Sequence, residues 1–207
     1  LRQATPRKAE TTLLEPFVGL TLSQIVVPVT AAEFAEAAKN ILAAGVVGFD
    51  TESKPTFTKG EVSTGPHIVQ FAIADRAYIF QLYQTAGREA LLEVLTAPSV
   101  RKVGFGLESD RKQMRNKLGV EAQSLLDLNI LFRHAGYKQT AGVRAAVAIV
   151  MNQKFHKSKR VTTTNWSLPR LTPPQLLYAA NDAFAAFKVM EAIPTAFPVL
   201  LSSTQLG

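Results

Sequence analysis

The sequence predicts an α/β or α+β domain with a mixed central β-sheet flanked by α-helices, and three observations lead there. Short apolar strand segments come early and two of them form a hairpin; strand and helix segments then alternate; the chain ends in a long helical stretch with a strong start signal. Sheets of this kind present ligands at the ends of their strands.

Each element has its own local cause. Residues 1–24 carry no sustained periodicity and read as an extended or partly ordered arm; the domain is expected over residues 25–193, with a tail over 194–207. Ile25 to Val29 reads as a short edge strand, where Pro28 is tolerated. Thr30-Ala31-Ala32-Glu33 is a capping box that opens an alanine-rich helix to about Ala44, and Gly45 ends it. Val46 to Glu52 reads as a buried strand that enters through apolar residues and leaves through acids. After a loop containing Pro55, Gly60, Gly65 and Pro66, the segments Ile68 to Ala74 and Ala77 to Leu82 make a hairpin joined at Asp75-Arg76. A helix from about Gly87 to Leu95 follows, then a strand at Val100 to Phe105, a basic helix from Glu108 to Lys117 and a short strand around Ser124 to Leu126. Thr172-Pro173-Pro174-Gln175 starts the final helix with a threonine cap, proline in the first turn and glutamine at the reciprocal position, and that helix runs to about Ile193.

Composition narrows the chemistry. A chain of 207 residues suffices for one domain with a sizeable core, and 47% apolar residues exclude a disordered chain. No apolar run approaches the roughly 18 to 20 residues of a membrane span. The basic stretch Leu1 to Lys8 is not followed by the apolar core of a signal peptide. A soluble intracellular protein, cytoplasmic and without a membrane partner, is therefore expected. The absence of cysteine excludes disulfides, thiolate metal sites and cysteine nucleophiles, and His67, His134 and His156 are too scattered for a zinc cluster. Any metal must be held mainly by oxygen.

The net charge of +7 is unevenly spread: residues 101–160 hold 13 Lys and Arg against 4 Asp and Glu, whereas the flanking segments are acidic or neutral. Such a segment is either a set of solvated helix faces or a phosphate-binding surface.

Four carboxylates carry the candidate chemistry. Asp50 and Glu52 lie two apart on one strand, so both point to the same face, about 6.6 Å apart along it. An acidic strand end is often merely solvated, but an apolar strand of this kind belongs in mid-sheet, where unpaired acids are costly. Asp110 follows Val103-Gly104-Phe105-Gly106, a strand that breaks at two glycines and turns into a helix. The helix dipole alone would favour acids at Glu108 and Asp110; close packing at Gly104 and Gly106 would in addition bring this helix start against the first strand. Tyr178 and Asp182 lie four apart on the last helix and share one face, roughly 5 to 6 Å apart at Cβ. Such a cluster needs cations: two divalent ions of the Mg²⁺ or Mn²⁺ type suit hard carboxylate oxygens, and a pair about 4 Å apart serves in-line displacement at phosphorus.

These residues resemble a family. Phe49-Asp50-Thr51-Glu52, Val103 to Asp110 and Tyr178-Ala179-Ala180-Asn181-Asp182 are similar in order and spacing to the three motifs of the DEDD superfamily of 3′-5′ exonucleases, tyrosine branch, over roughly Ile25 to Ile193. The resemblance implies a ribonuclease H-like fold, a partner nucleic acid with a free 3′ end, DNA or RNA, and release of nucleoside 5′-monophosphates. It implies that Asp50 bridges two metals, that Glu52 and Asp182 complete the first site, that Asp110 serves the second, and that Tyr178 orients the attacking water. The sister branch carries a histidine where this chain has Leu177, and many Werner-like members carry an aromatic residue where it has Ser53. Lys157, Lys159 and Arg160 lie in a polar loop whose family counterpart borders the active site, and are expected to contact phosphate; Phe57 and Lys59 are expected to flank the nucleic-acid end. Asp127 reads as a cap for the following helix, and Trp166 as a core anchor. The rival reading is a catalytically inactive nucleic-acid-binding module on the same fold.

Overall fold

The computed structural model of the chain describes residues 3–7, 9–58 and 60–198. A six-stranded mixed sheet forms its centre, in the order β2-β5-β4-β3-β6-β7. These strands are β2 (Ile25–Val26), β3 (Val46–Glu52), β4 (Ile68–Ala72), β5 (Ala77–Gln81), β6 (Arg101–Gly104) and β7 (Leu125–Asp127). β3, β4 and β5 pair antiparallel, whereas β2 joins β5 in parallel and β6 and β7 extend the other side in parallel. The hairpin turns at residues 73–76, closed by the bond from Ile73 N to Arg76 O at 2.9 Å.

Alternation along β3 divides the core in two. Val47 and Phe49 face a layer made by α1 (Ala31–Ala44), α2 (Arg88–Thr96) and α3 (Glu108–Leu118), where Phe34, Phe71, Phe80, Leu95 and Met114 are buried with them. The even-numbered residues face α7 (Pro173–Ala196), with α4 (Asn129–His134) and α5 (Gly142–Met151) beside it. The capping boxes at Thr30/Glu33 and Thr172/Gln175 are both formed. α7 continues past Ile193 to Ala196, carrying Pro194 in its last turn. A short helix, α6 (Lys159–Thr162), precedes α7.

The amino-terminal segment is moored at two points. β1 (Glu15–Pro16) pairs in parallel with β8 (Gln153–Lys154). Further on, Leu20 N donates to Asn181 Oδ1 at 2.6 Å, while Asn181 Nδ2 donates to Leu20 O at 3.2 Å and to Leu177 O at 2.9 Å.

Two glycines set the distances on which the site depends. A Cβ added at Gly48 would lie 1.8 Å from the Ala183 carbonyl oxygen, so α7 rests on β3 at backbone distance. A Cβ at Gly104 would lie 2.4 Å from Phe49 O, so the end of β6 presses against β3 just before α3 begins. Gly106 corrects the expectation from sequence: its φ is +69° and no heavy atom lies within 4 Å of its Cβ position, so it serves the turn into α3 and not close packing.

The basic segment is also not all surface. Lys102 is fully buried, and its ammonium donates to Val94 O at 3.0 Å and Ala97 O at 2.9 Å, satisfying carbonyls at the end of α2. Burial pulls this amine down to about 8.

Gly48→Ala is expected to cost about 2 to 3 kcal/mol or more, because the added methyl meets backbone that can yield only by lifting α7. Gly45→Ala, with φ +70° but open space around it, should lose only about 1 kcal/mol. Urea denaturation of the two variants checks the difference; equal losses would count against the close-approach account.

Candidate active site

The end of β3 and the second and third turns of α7 bring three acids together. Asp50, Glu52 and Asp182 each offer a carboxylate oxygen, and these oxygens lie within 4.8 Å of one another. Strand alternation supplies the first two. The contact at Gly48 supplies the third, since Asp182 precedes Ala183, whose carbonyl lies over that glycine. Asp182 is buried; its Oδ1 has no hydrogen-bond partner, and its Oδ2 is met by the Lys157 ammonium at 2.6 Å. A buried carboxylate oxygen without a partner is costly, and a hard cation would satisfy it.

Asp110 stands beside this group and not within it. Thr51, which lies between the two β3 acids and points the other way, donates its hydroxyl to Asp110 Oδ1, and Ser109 Oγ donates to Asp110 Oδ2 at 3.4 Å. Thr51 N also donates to Asp50 Oδ1 at 3.0 Å. One threonine thus ties the start of α3 to the end of β3. Asp127 is not the N-cap of α4, a position held by Leu128, but stands one residue before it, accepting from Asn129 N at 2.9 Å and from Leu107 N at 3.2 Å at the mouth of α3.

The cluster holds one internal cation. Lys157 Nζ lies 2.6 Å from Asp182 Oδ2 and 5.3 Å from the centre of the Tyr178 ring. Tyr178 is buried beside Trp166, with ring centres 5.9 Å apart, and its hydroxyl shares a 2.8 Å hydrogen bond with Thr162 Oγ1. Trp166 anchors the core, donating Nε1 to Thr162 O at 3.2 Å. The two bonds to Thr162 fix α6 and the phenol relative to each other.

Electrostatics follow from this crowding. Burial, and then the charges of Asp182 and Asp110, hold the Asp50 carboxyl well above the usual range. Glu52 is pushed up to about 9, by burial first and by Asp50 and Asp182 next. Burial raises Asp182 despite the opposing charge of Lys157, and raises Asp110 despite the bond from Thr51. For Lys157, burial lowers the ammonium's tendency to charge, but Asp182 and Asp50 overcome this and hold it above the ordinary lysine range. Burial, then Asp182, raises the Tyr178 phenol.

Residues 25–196 match the family described as 3′-5′ exonuclease. The chain belongs to the 3′-5′ exonuclease family. It is 27% identical over 151 residues to the mouse bifunctional 3′-5′ exonuclease/ATP-dependent helicase WRN, covering 72% of this chain and 11% of that protein. It is 27% identical over 156 residues to an Arabidopsis thaliana 3′-5′ exonuclease, covering 72% of this chain and 54% of the relative. The chain therefore spans only part of the length of these relatives. The crystal structure of the Aedes aegypti Nibbler EXO domain superposes with a TM-score of 0.73 at 22% identity, covering 91% of this chain and 94% of that one. The mixed sheet flanked by helices is the ribonuclease H-like fold of these exonucleases.

Exonucleases of this family depend on divalent metal, and the donor set fits: three convergent carboxylates, one of them buried with an oxygen that has no hydrogen-bond partner. Lys159 and Arg160 are exposed on α6, while Phe57 is 81% exposed on the loop after β3. Lys59 lies outside the described residues. Sequence reasoning missed Thr51, Thr162 and Gly48; of these only Gly48, a glycine in mid-strand, carried a signal. A cavity of about 430 Å³ runs from Asp50, Asp182 and Lys157 past Gly106 and Asn129 to Arg144. Among the described residues no helix is long and apolar enough to cross a membrane.

Raised carboxyl values mean that the folded, metal-free exonuclease domain holds protons that the unfolded chain gives up. This contribution to stability is complete below the unfolded carboxyl range near pH 4 and is lost as pH rises through the folded values, last through that of Glu52 at about 9. In EDTA the melting temperature should therefore fall between about pH 5 and 9, and saturating Mn²⁺ should flatten the fall. A profile equally steep with and without Mn²⁺ would count against metal binding by these acids. Lys157→Met should deepen the metal-free loss, by less than the roughly 3 to 5 kcal/mol of a fully buried pair because the lysine is 35% exposed.

Proposed function

We propose that the chain is a metal-dependent 3′-5′ exonuclease of the tyrosine branch, releasing nucleoside 5′-monophosphates from the 3′ end of DNA or RNA, with residues 25–193 as its catalytic unit. The observation that carries this reading is the convergence of Asp50, Glu52 and Asp182 within 4.8 Å beside Asp110 and Tyr178. When bound, a pair of Mg²⁺ or Mn²⁺ ions supplies an activated water and stabilises the charge on the leaving 3′ oxygen. Glu52 and Asp182 would hold the first ion with Asp50, which would be shared; Asp110, standing apart from the other three on its bond to Thr51, would serve the second.

The chain's own residues divide the remaining work. In the metal-free protein burial, then the Asp182 charge, raise the Tyr178 phenol, and its hydroxyl would orient the attacking water as a hydrogen-bond partner. Thr162 and Trp166 fix where that hydroxyl stands. Lys157 balances Asp182 until cations arrive and then turns toward substrate phosphate, with Lys159 and Arg160 on the adjoining α6. Phe57 and Lys59, on the loop after β3, flank the terminal nucleotide.

With 5′-labelled DNA and RNA oligonucleotides and Mg²⁺ or Mn²⁺, the protein should give a ladder that shortens from the 3′ end, and the Asp50→Ala, Glu52→Ala double variant should give none. Equal activity in the double variant would refute the site; binding without hydrolysis by the intact protein would favour the inactive binding module. Tyr178→Phe should lower turnover roughly 100-fold, as expected for a misplaced reactant, and leave Mn²⁺ affinity nearly unchanged. Asp182→Asn should weaken Mn²⁺ binding; an unaltered Mn²⁺ isotherm would exclude Asp182 as a ligand.

A further inference from the structure

The catalytic cavity does not end at the acids. Gly106, Asn129 and Thr140, which line it, also line a second cavity of about 750 Å³ between α3 and α4. The two form one continuous path along the surface. The lining of the second cavity includes the chain neighbours of Asp110 on both sides, Ser109 and Arg111, and its walls carry Arg111, Lys112 and Arg115 from α3 and Arg133 from α4.

The charge of this groove is only partly balanced. Glu121 lies 3.8 Å from Arg111 and 3.4 Å from Arg115, so one carboxylate serves two guanidinium groups. The side chains of Lys112 and Arg133 are exposed and have no ion pair or hydrogen bond among the described residues. Of the acids on the wall, Asp127 is engaged by backbone N–H groups, leaving Glu108 as the free anion. Among the described residues no aromatic ring lines the groove, so they offer nothing on which a base would stack. It is suited to a chain of phosphates read without regard to sequence.

We propose that the α3–α4 groove holds the phosphodiester backbone of the substrate strand on the 5′ side of the nucleotide being removed, with Lys112 and Arg133 as its principal phosphate contacts. This rests on the exonuclease reading above and adds the path of the strand. It makes the groove an affinity device: it acts on long substrates, through KM, and leaves the chemistry at the acids unchanged.

The test compares the intact protein with a Lys112→Ala, Arg133→Ala double variant on a trinucleotide and on an oligonucleotide of about 20 residues, over a range of salt concentrations. A Lys39→Ala, Lys188→Ala variant, whose lysines lie on α1 and α7 beside Glu36 and Glu191, carries the same change in net charge as a control. On the long strand the groove variant should raise KM with kcat unchanged, and its log–log salt slope should be shallower by about 1.4, at roughly 0.7 per lost phosphate contact. On the trinucleotide it should match the intact protein. An unchanged slope, an equal loss on both substrates, or the same slope change in the control variant would overturn the proposal while leaving the exonuclease reading in place. If the intact protein degrades neither substrate, the exonuclease reading fails. The groove is then judged by fluorescence anisotropy of the labelled long strand, where the same change of slope supports it and an unchanged slope overturns it.

Discussion

α7 lies on β3 with no side chain between them at residue 48, and this backbone contact sets the geometry of the whole acidic cluster. Alternation along a strand can place Asp50 and Glu52 on one face, but it cannot place a third carboxylate above them. That requires a helix at a distance which even a methyl group would forbid. Gly104 repeats the device on the neighbouring strand, where β6 presses against Phe49 and delivers the start of α3, with Asp110, to the same end of the sheet. The mixed sheet, its two-sided core and the capped ends of α7 hold these approaches in place.

Such closeness has an electrostatic cost. Two carboxylates about 5 Å apart repel by roughly 3 kcal/mol at an effective dielectric of 20, and here three converge in a partly buried site with a fourth beside them. The metal-free protein meets this in two ways: protons stay on the acids at pH values where free carboxyls are ionised, and Lys157 contributes a positive charge from the loop ahead of α6. Both are replaceable by a divalent ion. Convergent carboxylates that repel one another gain most from a divalent cation, so their repulsion and an affinity for metal would share one origin.

Much of this was legible in the sequence because it is local. The capping boxes at Thr30 and Thr172, the hairpin about Asp75-Arg76 and the acid-tipped β3 are each decided within a few residues. The acids could be grouped before their geometry was seen because period and motif order carry that information. What stayed hidden depends on contacts between distant segments. Lys157 was read as a phosphate contact, and its ion pair with Asp182 joins residues 25 positions apart. Lys102 lies in a basic run that looks solvated, and only the packing of α2 over β6 shows that its ammonium closes a helix end. Gly106 looked like Gly104 in the motif; one lies against backbone and the other turns the chain.

Asn181 stands next to Asp182 on α7 and holds both the N–H and the C=O of Leu20. The clamp's hydrogen bonds read main chain only, while the Leu20 side chain is held separately by burial in the core under α7. A second restriction falls one residue earlier, where a Cβ on Gly19 would lie 2.3 Å from the Asn181 side-chain oxygen. The mooring beside the acids therefore rests on three neighbouring positions of different kinds: Phe17 through its contacts with Phe155 and Phe184, Gly19 through its lack of a side chain, and Leu20 through both its main chain and its burial.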